Sequence, residues 1–255
     1  MKRSSLQALV RRDIKEEVRT YRLWVTLAIF LVFGITAPLI MKNLPKLIPQ
    51  TEMITVIVSE PTVGDAASQF FDYLLQMGML LMILLGMGCV AGERAQGVLP
   101  LVLSKPVKRR EFLESKVLVN GGMTAIALAL GAAVFYGYTV LVFEYFSPVG
   151  VLQSIIPAAL FLLLVLAITI FWSVLAPSSI AAAGLAFLSA IIILVVPSLF
   201  PAIKRYGPSY LLESSKAIAI GEKGLADPLA AMLVATGLII ILLIAAVYLF
   251  ESRDI

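Results

Sequence analysis

Six long runs of apolar residues, separated by polar stretches, constrain the fold of this chain more than any other feature of its sequence. A helix needs about 20 mostly apolar residues to cross the hydrocarbon core of a bilayer. No run carries a charge in its interior, where a charge costs about 2.5–3.5 kcal/mol on insertion scales. The sequence therefore predicts an all-α polytopic membrane protein with spans over 23–41, 73–91, 117–143, 155–176, 180–199 and 229–250.

The composition agrees with a membrane setting and excludes several kinds of chemistry. Hydrophobic residues make up 60% of the 255 residues and charged residues 14%, against about 45–50% and 25% in soluble proteins. There is no histidine, and Cys89 is the single cysteine. An internal disulfide, histidine-based catalysis and nearly all transition-metal sites are therefore excluded. We predict no catalytic, cofactor-binding or metal-binding residues, and no nucleic-acid partner, because the basic charge follows membrane topology.

The distribution of lysine and arginine predicts the orientation of the chain. With the N-terminus inside, the inner segments hold 14 of these residues and the outer segments 6. Cytoplasmic loops carry such an excess. The chain is thus expected to be a multi-pass protein of the cell (inner, or cytoplasmic) membrane with both termini in the cytosol. Because a charged helix precedes the first apolar run, we interpret that run as a span, not a cleavable signal peptide.

Residues 1–22 have the pattern of an amphipathic helix. The apolar residues that recur at helical spacing are Leu6, Leu9, Val10, Ile14, Val18 and Tyr21. Such a helix is expected to lie in the inner headgroup layer. Its cations Arg11, Arg12, Lys15 and Arg19 fall off the apolar face, close to anionic lipid. Two compatible interpretations are a topology anchor and an interfacial connecting helix that transmits movement into the first span.

Residues 92–116 form a charged island between the second and third apolar runs. Pro100 suits the first position of a short helix, and that helix should end at Lys105, because the residue before a proline is pushed out of helical geometry. A second helix is expected to begin around Lys108 and to continue through Lys116 into the third span. Composition alone leaves two interpretations open, a basic inner loop with apolar residues near the membrane and a docking element for another protein.

The order of residues in this island resembles the cytosolic segment of ABC-2 type transporter permeases. The resemblance lies in Glu93-Arg94, Gly97, Leu103-Ser104, Pro106-Val107, Arg109 and Lys116. Residues 86–92 are also similar to permeases found beside copper-oxidase maturation and antibiotic-export operons. The chain departs from the family pattern in lacking an acidic residue near Pro100 and a serine near Lys108, which leaves the local helix boundaries open.

The resemblance implies a single ABC-2 type transmembrane domain over residues 1–255, with a cytosolic coupling helix over 97–107 that sits in a cleft of an ATP-binding subunit. Glu93 is then expected to pair with a basic residue of the N-terminal or coupling region. The implied coupling residues are Glu93, Arg94, Gly97, Leu99, Leu101, Leu103, Ser104, Pro106, Arg109, Arg110 and Lys116.

The expected function is that of the membrane permease subunit of an ATP-driven exporter with an apolar or amphipathic cargo. No Gly-x-x-x-x-Gly-Lys-Ser/Thr sequence occurs, so ATP and magnesium are expected in a separate subunit, and this chain is not an enzyme by itself. We expect two permease chains, alike or different, with two ATP-binding subunits. The alternatives are a secondary transporter or channel without an ATPase, and a membrane enzyme; the spans offer neither deep charges for the first nor an acidic pair for the second.

Small residues and one carboxylate complete the sequence predictions. Ala182, Ala186 and Ala190 form a small-xxx-small stripe, which lets helices approach closely, and Gly78, Gly86, Gly131 and Gly137 are interpreted in the same way, as packing residues or a dimer seam. Asp72 is interpreted as a helix-start residue. The segments 42–72 and 200–228 are expected to form short helices at the outer surface.

Overall fold

The described part of the chain is helical and contains six helices that could cross a membrane. The computed structural model describes residues 5–47, 60–97, 108–143 and 145–252. The six helices, here called spans one to six, are Arg22–Leu47, Val63–Ala95, Arg109–Val142, Pro148–Leu175, Ser179–Leu199 and Leu229–Ser252. The prediction of an all-α protein with six spans is confirmed.

Span two is an interrupted helix that begins earlier than predicted. It consists of an α-helix over Val63–Tyr73, a π-helical turn over Leu74–Gly78, an α-helix over Met79–Met87 and, after a turn at 88–90, a short helix over Ala91–Ala95. A capping box starts it, in which the Asp65 amide donates to Thr62 Oγ1 and the Thr62 amide donates to the Asp65 carboxylate.

The interpretation of Asp72 as a helix-start residue is wrong. Asp72 lies inside the helix Val63–Tyr73, and Lys216 Nζ donates to its Oδ1 at 2.6 Å. The first ten residues of span two are polar on one side and bury Phe70 and Phe71 on the other. A scan for continuous apolar residues therefore misses them, although they are as helical as the rest of the span.

Spans one and three pack closely at a pair of glycines. A Cβ on Gly131 would lie 2.7 Å from Phe30 O, and a Cβ on Gly34 would lie 2.5 Å from Gly131 O. Gly86 of span two is also confirmed as a packing residue, since its Cβ would lie 2.9 Å from Thr169. The prediction of packing within the bundle is wrong for Gly137, because a Cβ there would meet no atom within 4 Å, and its other interpretation, a dimer seam, stays a prediction.

Span four lies at the centre of the bundle. It buries side chains along most of its length and contacts spans two, three, five and six. The stripe Ala182, Ala186 and Ala190 of span five is buried, as expected for a helix-packing surface. Spans five and six otherwise expose large apolar side chains such as Leu188 and Ile241, which suits a surface in contact with lipid.

The N-terminal helix, Ser5–Arg19, lies at one end of the bundle beside the start of span three. We call this end the N-terminal face. The opposite face carries the helix Ser209–Ala219 between spans five and six, and short helices in this segment were predicted. There, Tyr210 Oη donates to Asp227 Oδ2 at 2.6 Å, which ties the helix to the segment that follows it.

The polar side of the N-terminal helix faces the protein. Its buried residues are Leu9, Asp13 and Glu17, whereas Ile14 and Val18 are exposed. In a soluble protein the apolar stripe would face the core. Here part of that stripe, with Ile14 and Val18, is exposed on a side where a bilayer can take the place of the core.

Candidate functional site at the N-terminal face

A compact group of charged side chains joins the N-terminal helix to spans two and three. Lys116 Nζ lies 2.5 Å from Glu93 Oε1, 3.2 Å from Asp13 Oδ1 and 3.7 Å from Glu16 Oε2. Arg12 Nη2 lies 2.7 Å from Asp13 Oδ1 and 3.1 Å from Glu93 Oε1. We call these five residues the ion cluster. The side chains of Asp13, Glu93 and Lys116 are each less than 10% exposed.

Neighbouring groups help to compensate the loss of water around these charges. Ser115 Oγ donates to the second carboxylate oxygen of Asp13 at 2.6 Å. The ring of Phe112 lies 5.6 Å from the Arg12 guanidinium carbon and 5.7 Å from Lys116 Nζ, so both cations contact an aromatic face. Removing one charge from such a buried group costs far more than the intact group contributes.

Three of the carboxylates lie close enough together to hold a metal ion. Oxygen atoms of Asp13, Glu16 and Glu93 lie within 4.8 Å of one another. The ammonium of Lys116 contacts all three. It supplies from within the chain the positive charge that a metal ion would otherwise bring, and the group is therefore an ion-pair network.

The turn at 88–90 is held by reciprocal capping between spans two and four. The amides of Val90 and Ala91 both donate to Ser173 Oγ at 3.1 Å, and this hydroxyl donates to Met87 O at 2.8 Å. In return, Arg94 donates to the carbonyls of Val174 and Ala176 at the end of span four, at 3.0 and 3.3 Å. The short helix that carries Glu93 is therefore fixed to span four at both of its ends.

Replacing Ser173 with alanine should lower the free energy of unfolding by about 1–3 kcal/mol. The change leaves the amides of Val90 and Ala91 without their acceptor in a buried position, and an unsatisfied buried donor costs an amount of this order. Thermal unfolding of the detergent-purified protein measures the effect.

Thr169→Val is the matched control on the same span, because the Thr169 hydroxyl donates only to Val165 O of its own helix. It should change the unfolding temperature little. If both variants lower the unfolding temperature equally, the hydrogen bonds between Ser173 and span two do not add to the stability of the protein.

The structure brings some of the predicted coupling residues together and separates others. Arg109 Nη1 donates to Phe250 O at 2.8 Å, and its guanidinium carbon lies 5.8 Å from the Phe250 ring, so it contacts span six. Arg110 is exposed and pairs with Glu114. Gly97 has φ of 68° and follows the short helix, a left-handed position that favours glycine. Leu99, Leu101, Leu103, Ser104 and Pro106 lie outside the described residues.

Arg109 begins the helix of span three, with Lys108 as its N-cap. The predicted second helix of the island, which runs through Lys116 into that span, is confirmed. The predicted pairing of Glu93 with a basic residue is also confirmed, with Arg12 from the N-terminal helix and Lys116 from span three as its partners.

The predicted role of Arg12 as a lipid-facing cation is wrong, because its guanidinium is engaged in the ion cluster. Burial by itself would lower the pKa of Arg12, but the hydrogen bonds that it donates to Asp13 and the negative charges of Glu93, Asp13 and Glu16 together raise this pKa, so its charge is secure. Arg11, Lys15 and Arg19 are exposed. Their contact with lipid stays a prediction.

Sequence reasoning missed Asp13 and Glu17 of the N-terminal helix and Ser173 of span four. A signal for the first two exists: Leu9, Asp13 and Glu17 follow one another at i, i+4 spacing and lie on one stripe. A stripe that places carboxylates in line with a buried leucine indicates a polar contact with protein. No local signal marks Ser173, because its role depends on a break in a different helix.

Comparisons with known proteins agree with this architecture. The family described as ABC-2 family transporter protein matches residues 7–255. A curated relative from Bacillus subtilis (strain 168), the uncharacterized transmembrane protein YxlG, is 28% identical over 229 residues, which is 86% of each chain. The match extends from the N-terminal helix through all six spans, and this chain, a multi-pass membrane protein, belongs to the ABC-2 family of transporter proteins.

Proposed function

We propose that this permease subunit of an ABC transporter forms part of the export path for an apolar or amphipathic cargo, and that residues 97–107 bind a separate ATP-binding subunit whose ATP hydrolysis drives export. Membership of the family makes the chain a membrane component of transport that is not itself catalytic. The finer proposal adds a partner, a coupling segment and a cargo class.

The ion cluster is the single observation that carries the coupling proposal. In the sequence, residues 98–107 connect the short helix that holds Glu93 to the helix that holds Lys116. These two residues are in contact with each other, and both contact the N-terminal helix through Asp13 or Arg12. A force applied to the segment would therefore reach spans two and three and the N-terminal helix together, as an ATP-driven motion requires.

We further propose that the N-terminal face is cytosolic. The excess of lysine and arginine in the segments at this face supports the orientation. In this arrangement two ATP-binding subunits bind ATP and magnesium, and a second permease chain completes the path through the membrane. The apolar residues exposed on spans five and six are compatible with such a second chain and with lipid.

The test is affinity purification of this chain from its native membranes, with mass spectrometry of the proteins that accompany it. We expect a protein with a Walker A sequence to co-purify. A variant with Leu101→Glu and Leu103→Glu should lose this partner at equal abundance of the permease, because two charges would enter an apolar contact surface.

The matched control also carries two substitutions, Lys204→Glu and Glu213→Lys, which exchange an exposed ion pair at the opposite face. The control should retain the partner. Absence of any ATPase from the wild-type preparation would favour a secondary transporter or channel, and retention of the ATPase by the leucine variant would move the docking surface away from residues 97–107.

A further inference from the structure

A groove at the N-terminal face combines an apolar lining with one buried carboxylate. It has a volume of about 260 Å³ and lies between the N-terminal helix and span three. Its apolar lining comes from both helices and includes Ile14, Val18, Leu118, Met123 and Ile126. Glu17 is the charged residue among those that line it, and it is 6% exposed.

The carboxylate of Glu17 is incompletely paired. Its Oε1 lies 3.6 Å from Arg22 Nη1, a loose ion pair. Its Oε2 has no hydrogen-bond partner among the described residues, although it is buried. Burial raises the pKa of the Glu17 carboxyl, and the charges of Arg22 and Lys116 offset this effect only in part, while Glu16 adds to it. A buried oxygen without a partner is costly unless a ligand or a proton completes it.

The charge balance around Glu17 also favours a positively charged ligand. The ion pairs around the N-terminal helix join the carboxylates Asp13, Glu16, Glu17 and Glu93 to the cations Arg12, Arg22 and Lys116. With every group ionised, this set carries one negative charge in excess. A second oxygen of the set, Glu93 Oε2, also lacks a partner among the described residues. The excess of lysine and arginine at this face includes exposed side chains such as Arg11, Lys15 and Arg19, whereas within the paired set one further positive charge would be favourable.

A second groove at the same level shows what distinguishes this one. It lies between spans three, four and six, has a similar volume of about 270 Å³, and is also lined by apolar residues and one carboxylate, Glu114. That carboxylate already accepts a hydrogen bond from Arg110 Nε at 2.7 Å. Glu17 thus keeps an unsatisfied buried oxygen beside an apolar lining, whereas the carboxylate of the other groove has a donor.

We propose that the groove between the N-terminal helix and span three binds an amphipathic amine, with its aliphatic part against the apolar lining and its ammonium on Glu17. The ammonium supplies the missing positive charge and a donor for the carboxylate, and such charge-assisted bonds are the stronger ones. The aliphatic part of the ligand would lie against the apolar side chains of the N-terminal helix and of the first turns of span three. A zwitterionic lipid fits less well, since its phosphate would restore the negative excess.

The proposal does not depend on coupling to an ATPase, so binding alone tests it. The probe is radiolabelled dodecylamine, and dodecanol is the uncharged control with the same tail. The full chain is placed in phosphatidylcholine nanodiscs, and binding to empty nanodiscs is subtracted. We expect saturable binding of dodecylamine that is at least about tenfold tighter than that of dodecanol, the contribution of one charged hydrogen bond.

Two variants and one control decide the location. Glu17→Gln should remove the preference for the amine while dodecanol binding is unchanged. Gly122→Phe should remove binding of both probes, because Gly122 lines the groove and a side chain there starts in open space. Glu114→Gln makes the same chemical change in the other groove and should leave amine binding intact.

Equal affinity for dodecylamine and dodecanol would overturn the proposal, as would an amine preference that survives Glu17→Gln. Loss of the preference in Glu114→Gln would move the site to the other groove and overturn the assignment. Since Gly122→Phe leaves every charge in place, its effect separates filling of the groove from any disturbance of the ion cluster.

Discussion

Replacing Lys116 with methionine should lower the free energy of unfolding by about 3–5 kcal/mol, the cost of leaving buried carboxylates without their counter-charge. Its ammonium is the contact shared by Asp13, Glu16 and Glu93. Methionine keeps the length of the side chain and removes only the charge. Because domains are stable by only about 5–15 kcal/mol, the variant should unfold at a much lower temperature or denaturant concentration than the wild type.

Arg110→Met is the control, because Arg110 lies on the same helix and is exposed. This variant should unfold at the same temperature and denaturant concentration as the wild type. The double variant Lys116→Met with Glu93→Gln removes one charge of each sign and should recover part of the stability. Full stability of the single variant in detergent and in nanodiscs would show that water, not Lys116, compensates the carboxylates.

Replacing Gly131 with alanine should lower the free energy of unfolding by about 3 kcal/mol, the upper part of the range for overpacking. The added methyl group would lie 2.7 Å from the carbonyl oxygen of Phe30, which belongs to the backbone of span one and cannot rotate away. The two helices must separate, and the packing of Phe30 and Phe135, both fully buried, is lost along with the contact.

Gly137→Ala provides a closely matched comparison, since it makes the same change on the same helix where a methyl group meets nothing within 4 Å. It should be neutral or slightly stabilising, because alanine favours the helix over glycine. Both proteins are compared by thermal unfolding in one detergent. If the two alanine variants lose equal stability, close contact at Gly131 does not hold spans one and three together.

The number and class of the elements could be predicted from the sequence because hydrocarbon tolerates few alternatives to apolar helices. The start of span two could not, since residues from Val63 to Asp72 are amphipathic and pack on protein rather than lipid. The length of an apolar run in the sequence indicates how much of a helix is surrounded by lipid. A helix that lies partly against other helices can continue beyond it.

The candidate site was predictable only where a resemblance supplied the pairing. Glu93 was expected to find a basic partner, and it does. A basic partner from the N-terminal region was among the expectations, and Arg12 is that partner. The carboxylates of the same helix were not foreseen, because its apolar stripe was expected to set its orientation. The stripe of Leu9, Asp13 and Glu17 indicates a polar contact with protein but not the partners in that contact. The partners of Asp13 on span three, Ser115 and Lys116, lie about 100 positions away, and local periodicity does not encode such pairings.

The inward polar side of the N-terminal helix restricts the ways in which this helix can move. Turning it about its own axis would move Asp13 and Glu17 away from their partners in the protein and toward the apolar part of the bilayer, where a charge is unfavourable. Tilting it together with the start of span three keeps the contacts of Asp13 with Lys116 and Ser115, and Ser5 adds another link by donating to Glu111 Oε2. The N-terminal helix and the first turns of span three are therefore expected to tilt together as one body, and the N-terminal helix is not expected to rotate about its own axis.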